Sequence, residues 1–444
     1  MFDPMPNSKK ASRAGDTDRI SALPDSMLQH VLSFLQVQEA VRSCVLARRW
    51  RYLWKSVPVL RLTRYRPVKE SREFMDYLLV IRDRSPLDTC LFNFSESLAG
   101  DGHYVNLWIR YALLCQVRVL SVAFRNGVNL FCMARLPVIS QNLTNLELAK
   151  VILNDEPLDF SCCPSLEELK MTQCTILVEE IFSRSLKRLS IRECEFYCVK
   201  RSHISVPSLT SLELTGVSGL TPFLEDMPAL VTATVRFSRA CWDTCGILGL
   251  ESCADSSCEC CYREVCGDAS CECCYGYDDC RQGCVFLKAL SAATDLKLIA
   301  EPELIVLARD LRRCPTFSKL KTLSLNEWCV TDDHSALICI LQHTPVLENL
   351  SLQLFEVPHY VEPLKATYNL LEQSFASENL KIIEVACEEV DERVHNIVKS
   401  LTIYGIPLEK INIRQTKESS GCFNFVCTSF RPGLMGYLHI GLCR

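Results

Sequence analysis

Apolar residues recur along this chain with two different periods. In the first sixty residues the period is helical. Leu28, Val31, Leu32 and Leu35 stand at i, i+3, i+4 and i+7, the stripe of an amphipathic helix. Pro24 suits the first turn of that helix, where its missing N–H costs nothing, and Asp25 complements the dipole there. A second short helix is predicted from Gln38 to Cys44, burying Ala40 and Val41. A third is predicted to carry Leu46, Trp50, Leu53 and Trp54 on one side, with Arg48, Arg49, Arg51 and Lys55 outside. Three short helices in about forty residues cannot bury this much apolar surface among themselves, so part of it is expected to await a partner.

Further on the period becomes two, inside a longer repeat. L-x-x-L-x-L occurs at Leu143-Leu146-Leu148, Leu166-Leu169-Met171, Leu186-Leu189-Ile191 and Leu209-Leu212-Leu214, then at Leu320-Leu323-Leu325 and Leu347-Leu350-Leu352. Degenerate copies start at Val117, Leu230, Leu380 and Leu408, with a half-copy at Asp295 to Leu298. Starts between 143 and 230 lie 20 to 23 residues apart and the later ones 27 to 33. This is leucine-rich-repeat spacing, in which each short strand turns its leucines into the interior of a solenoid. An ordinary α/β domain with leucine-rich strands is the alternative. Cys174 and Cys194 occupy the slot three residues past the last leucine and are assigned a packing role.

A strand alternates faces, so the residues between the leucines form a polar surface of mixed sign. Glu147, Glu168, Lys170, Arg188 and Glu213 are its charged members and the candidate contacts for a protein client. Few aromatics interleave them, which suits a protein surface better than stacked bases.

Composition narrows the function. The formal net charge is -5 over 444 residues, against a chain built to coat nucleic acid or an anionic membrane. No apolar run reaches the length needed to span a bilayer, and the polar N-terminus lacks a signal-peptide core. The expectation is a protein of the nucleus, the cytoplasm or both, where 28 cysteines are thiols or metal ligands. Charge is uneven: Arg42 to Arg72 holds ten Lys or Arg and one acid, Glu70. That run is either a solvated face or a surface steered toward an acidic partner.

LPDSMLQHVLSFL followed by EAVRSCVLARRWRYLWKSVP, in residues 18–62, resembles the plant F-box that precedes leucine-rich repeats. The resemblance implies docking on a Skp-type adaptor within an SCF-type cullin–RING ubiquitin ligase. By position, Leu23, Pro24, Leu28, Val31, Leu32 and Leu35 would form a first contact strip. Val41, Val45, Leu46, Trp50, Leu53 and Trp54 would supply the second strip and a small internal core. Trp50→Ala and Leu28→Ala are then expected to weaken adaptor binding as central anchors. Skp adaptors of the family are acidic, which would give the basic run its purpose. Residues 378–414, with strand LKIIEV, a helix through Val394, Ile397, Val398 and Leu401, and strand LEKINI, resemble the FBD domain that closes many such proteins.

The chain is thus expected to be α/β: a leader over 1–17, an F-box over 18–62, an irregular solenoid over 63–370, an FBD-like domain over 371–416 and an unassigned tail over 417–444. Between Cys253 and Cys284 an acidic insertion packs ten cysteines into 32 residues and repeats CECCY thirteen residues apart. Apolar residues are too sparse there to form a core, and disorder is expected. Cys258, Cys261, Cys271 and Cys274 form two C-x-x-C pairs and are the weak metal candidates; a thiolate–metal role for this segment stays open. His203, His334 and His343 fall in repeat loops and are expected at the surface. No phosphate loop, zinc-protease helix or nucleophile elbow is present, and neither a cofactor nor catalysis is expected. The expected function is a substrate receptor that captures a protein client. A repeat scaffold outside any ligase is the rival.

Overall fold

The computed structural model describes residue 20 and residues 22–82, 84–95, 101–125, 131–134, 139–154, 157–198, 201–241, 286–300, 305–311, 313–330, 334–355 and 379–415. The leader 1–17, the tail 417–444 and the insertion with Cys258, Cys261, Cys271 and Cys274 lie outside them.

Parallel strands in sequence order form the backbone of the molecule. They are β1 (Val59–Arg66), β2 (Thr89–Phe94), β3 (Val119–Phe124), β4 (Asn145–Ala149), β5 (Glu168–Thr172), β6 (Arg188–Arg192) and β7 (Ser211–Gly219). The ladder continues as β8 (Thr232–Cys241), β9 (Asp295–Ile299), β10 (Thr322–Asn326), β11 (Asn349–Leu354), β12 (Ile382–Cys387) and β13 (Ile411–Gln415). Each pairs with the next, and from β4 to β7 the register sets leucine against leucine: Leu146 opposite Leu169, Leu169 opposite Leu189, Leu189 opposite Leu212. Their side chains are buried and the residues between them are not. β8 meets β9 directly, although the long segment between them includes the insertion.

Two copies escape the leucine pattern. Val57-Leu60-Leu62 leads into β1, and Leu87-Cys90-Phe92 into β2, with Cys and Phe standing in for leucine. Phe92, Phe94, Phe124 and Phe131 gather around or beside Trp108, so this end of the core is aromatic.

Repeat length follows from how the chain returns to the next strand. Helices Val68–Ile81 and Gly102–Leu114 occupy the returns after β1 and β2. The shorter repeats from β4 to β8 return through extended segments instead. Leu158–Asp159, Glu180–Phe182, His203–Ser205 and Phe223–Leu224 pair as a second, four-stranded parallel sheet. An extended residue advances about 3.3 Å and a helical one about 1.5 Å, so a helical return needs more residues.

Each short repeat leaves its strand through the same strained turn. Lys150, Gln173 and Glu193 have φ of 56°, 53° and 51°, and Gly216, next in register, has 65°. The amide N–H of Gln173 donates to Arg192 O at 2.8 Å and that of Glu193 to Thr215 O at 2.7 Å. Stacking therefore supplies the hydrogen bonds that hold non-glycine residues left-handed. Directly after this turn, the Cys174 N–H donates to the Cys194 sulfur at 3.3 Å. The Cys174 sulfur beside it and burial push the Cys194 thiol up. Both cysteines are buried packing residues, as their repeat slot implies.

At the far end, the strand–helix–strand order read from 378–414 is present. β12 pairs with β11, helix Glu392–Ile403 follows, and β13 pairs with β12. Val394, Ile397 and Leu401 are buried and Val398 is half-buried. Asp391 caps the helix, its carboxylate accepting from Val394 N–H at 3.1 Å. Asp391→Ala is expected to cost about 1 kcal/mol, measured as a lower urea midpoint, with Asp391→Ser recovering most of it.

His334 departs from expectation. It is buried, caps helix Ser335–Gln342 in a left-handed conformation, and its Nδ1 shares a hydrogen bond of 3.0 Å with Ser400 Oγ. A polar ring that links two neighbouring helices is held inside by its partner, which loop position in the sequence does not reveal.

Candidate protein-docking surfaces

The N-terminal module forms from helices Asp25–Leu32 and Val37–Arg42 and three short 3-10 turns, Ser43–Val45, Arg48–Arg51 and Leu53–Ser56. The expected third helix is broken. Ala47 is extended (φ -158°, ψ 162°) and ends any helix running back to Leu46. Three residues per turn then align Trp50 with Leu53, so both enter the core while Leu46 swings out. Gln36 joins this module to β1: Thr63 N–H donates to Gln36 Oε1 at 2.9 Å, and Gln36 Nε2 donates to Thr63 Oγ1. The buried Arg82 donates to Val57 O at 2.8 Å, fixing the helix Val68–Ile81 to the same junction. Leu28, Leu32, Trp50, Leu53 and Trp54 join one hydrophobic cluster that continues through β1 to Ile406.

What the module leaves outside is apolar. Phe34 is 67% exposed, Val45 83% and Leu46 69%, with Ile20, Met27, Val31 and Leu35 also exposed. Arg42, Arg48 and Arg51 flank Val45 and Leu46 and are exposed. Arg49 is paired with Asp25 at 2.5 Å. Exposed large apolar side chains together with exposed arginines are the composition of a protein interface.

The strand face offers a second surface. Register brings Glu147 beside Lys170, Lys170 beside Ser190 and Ser190 beside Glu213. Glu168 is the hub of one cluster, with Lys170 Nζ at 2.7 Å, Asn145 Nδ2 at 2.6 Å and Arg188 Nη2 at 3.4 Å. Glu213 is the hub of another, accepting from Ser190 Oγ at 2.9 Å and from Arg192 Nε and Nη2 at 2.8 Å each. Arg192 was not among the sequence candidates; its signal was the alternation carried one step past Ile191.

These contacts set the titration of the face. The Lys170 hydrogen bond holds the Glu168 carboxyl low. Burial opposes ionisation of Glu213, but hydrogen bonds from Arg192 and Ser190 outweigh it and the carboxyl is lowered too. Because both pKa values are depressed on folding, their contribution is present above the usual glutamate value of about 4.3. It is lost as pH falls through the lower folded values. Side-chain carboxyl titrations by NMR are expected to find both groups protonating below the usual glutamate value.

A sequence profile of the F-box domain matches residues 20–62. The module is an F-box. An F-box/LRR-repeat protein of Arabidopsis thaliana is 29% identical over 254 residues, covering 49% of this chain and 82% of that protein. An F-box/FBD/LRR-repeat protein of the same plant is 27% identical over 206 residues, covering 44% and 49%. For three other Arabidopsis relatives the match covers 46, 54 and 57% of their length, so the chain spans about half of most of the relatives it matches. The chain resembles plant F-box/leucine-rich-repeat proteins.

Within the F-box the candidate residues divide by burial. Val31, Leu35, Val45 and Leu46 are exposed, Pro24 is exposed, and Leu23 and Val41 are half-buried. Leu28, Leu32, Trp50, Leu53 and Trp54 are core. Ile20, Met27 and Phe34 complete the exposed strip and were missed. Met27, Val31 and Phe34 stand at i, i+4 and i+7, a second stripe beside the buried Leu28 and Leu32.

Proposed function

We propose that this chain is a non-catalytic substrate receptor of an SCF-type cullin–RING ubiquitin ligase. F-box domains generally bind Skp-type adaptors in such ligases. The observation that carries the reading is the exposed strip of Ile20, Met27, Val31, Phe34, Val45 and Leu46 on an F-box whose tryptophans are already spent on its core. The exposed Arg42, Arg48 and Arg51 favour an acidic adaptor by electrostatic complementarity.

The ladder of parallel strands supports a leucine-rich solenoid over 63–370, closed by the FBD-like strands, whose polar face holds a protein client. Glu147, Glu168, Lys170, Arg188 and Glu213 are the client contacts in this reading, joined by Arg192. One continuous core runs from Leu28 to Ile406, and in this reading it holds the adaptor and client surfaces in one rigid arrangement. Such a receptor contributes proximity, raising the client's effective concentration near the activated ubiquitin. The site of action in this reading is the nucleus, the cytoplasm or both.

Co-purification tests the reading. A Skp-type adaptor should bind the purified full-length chain with submicromolar affinity and fail to bind a chain lacking residues 18–62. No binding by the intact, folded chain overturns it.

A further inference from the structure

Away from both surfaces, two successive returns of the repeat bring sulfur and imidazole together. Cys314 follows the helix Ile305–Leu311. Cys339 lies in the helix Ser335–Gln342, and His343 caps its C-terminus. Cys339 and His343 are four residues apart and share a helix face. One ligand atom from each of the three residues lies within 4.8 Å of the other two. Cys339 is buried; Cys314 and His343 are half-buried.

The donors are oriented without any ion. His343 Nδ1 lies 2.8 Å from Cys339 O, so with its proton on Nδ1 the ring keeps the Nε2 lone pair for a ligand. Orientation of a metal-bound imidazole by a backbone carbonyl is the usual outer-shell arrangement. Phe317 N–H donates to His343 O at 2.8 Å, tying the Cys314 loop to the same helix end. The Cys339 and Cys314 thiols share a hydrogen bond. Cys339 Sγ also donates to Leu311 O at 3.6 Å and Cys314 Sγ to Pro315 O at 3.7 Å. A tetrahedral zinc ion with Zn–S near 2.3 Å and Zn–N near 2.0 Å sets ligand atoms roughly 3.6–3.8 Å apart. Side-chain shifts of about 1 Å or less would meet that.

We propose that Cys314, Cys339 and His343 bind one zinc ion, with water as the fourth ligand, and so clamp two successive repeats together. Two thiolates and an imidazole select zinc among the common divalent ions over the oxygen-seeking magnesium and calcium. The ion joins the returns after β9 and β10, the repeats that follow the insertion.

The insertion complicates a simple metal count but also supplies the discriminator. Residues 251–285 contain no histidine, so any site there has sulfur without imidazole. The full-length protein, purified with a thiol reductant and no chelator, should hold one more zinc per chain than the Cys314→Ser/His343→Ala double variant. His343→Cys should restore that equivalent. Wild-type protein loaded with cadmium-113 should give one NMR resonance in the mixed sulfur–nitrogen range, which requires no variant to fold. Equal zinc in folded wild type and double variant overturns the proposal. So does the absence of a mixed sulfur–nitrogen resonance, or a Cys314–Cys339 disulfide in the freshly purified protein.

Discussion

With Val45 and Leu46 both replaced by glutamate, the chain should fold normally and bind a Skp-type adaptor at least about 100-fold more weakly, roughly 2.7 kcal/mol. Both side chains are far more exposed than buried, so their loss removes nothing from the core. Two carboxylates on an apolar contact strip must instead be desolvated on binding, beside an acidic partner. Calorimetric titration gives the affinity, and an unchanged urea midpoint shows that the fold survives. Undiminished binding by the double variant would remove this strip from the interface.

Leu28→Ala supplies the contrast. Leu28 is fully buried in the F-box core. Its truncation is expected to cost about 2–5 kcal/mol of local stability, and any lost binding would follow unfolding of the module. Trp50 is 7% exposed and behaves similarly. The resemblance alone makes Leu28 and Trp50 anchors for the partner. Both are buried in the core, and in the proposed docking the exposed Val45, Leu46 and Phe34 are offered as the contacts instead.

Gly219→Ala is expected to be the most damaging small substitution in the repeats, costing at least about 3 kcal/mol. Gly219 has φ of 79°, and a Cβ there would stand 2.2 Å from Phe196 O and 2.9 Å from Phe196 C. That oxygen belongs to the neighbouring repeat and accepts from Leu220 N–H at 3.0 Å, so it cannot withdraw without breaking the ladder. Gly216 is the internal control. Its added Cβ would meet Glu193 Cγ at 3.3 Å, and the same register position in the preceding repeats already holds Lys150, Gln173 and Glu193. Gly216→Ala should cost only about 1 kcal/mol and Gly216→Asn less. Urea titrations that find the two alanine variants equal would show that the two backbones do not approach as described.

Much of the ladder was legible because its signal is local. L-x-x-L-x-L places two apolar residues on one side of a short strand with a third just ahead of it, and each copy needs only its own few residues to show it. The strands at β1 and β2 were not read, since Cys90 and Phe92 replace leucine and volume, not residue type, is what the core requires. The strand–helix–strand end at 378–414 was legible for the same local reason. In the F-box, the stripe Leu28, Val31, Leu32 and Leu35 splits: Leu28 and Leu32 are buried, whereas Val31 and Leu35 are exposed, and the helix ends at Leu32. The third helix is interrupted at Ala47. Helical spacing cannot distinguish one α-helix from two 3-10 turns that bury Trp50, Leu53 and Trp54 alike.

The sequence by itself determined the repeat, the α/β character, the F-box and the outward alternation of Glu168, Lys170, Arg188 and Glu213. These follow from periodicity, which neighbouring residues carry. Tertiary structure alone decided which apolar residues of the F-box face a partner, because burial depends on what β1 and the helix Val68–Ile81 cover. It alone joined Glu213 to Arg192 across two strands, set Phe196 against Gly219, buried His334 against Ser400, and brought Cys314 to Cys339 and His343. Those contacts lie between repeats, where the distance along the chain says nothing until stacking fixes the register.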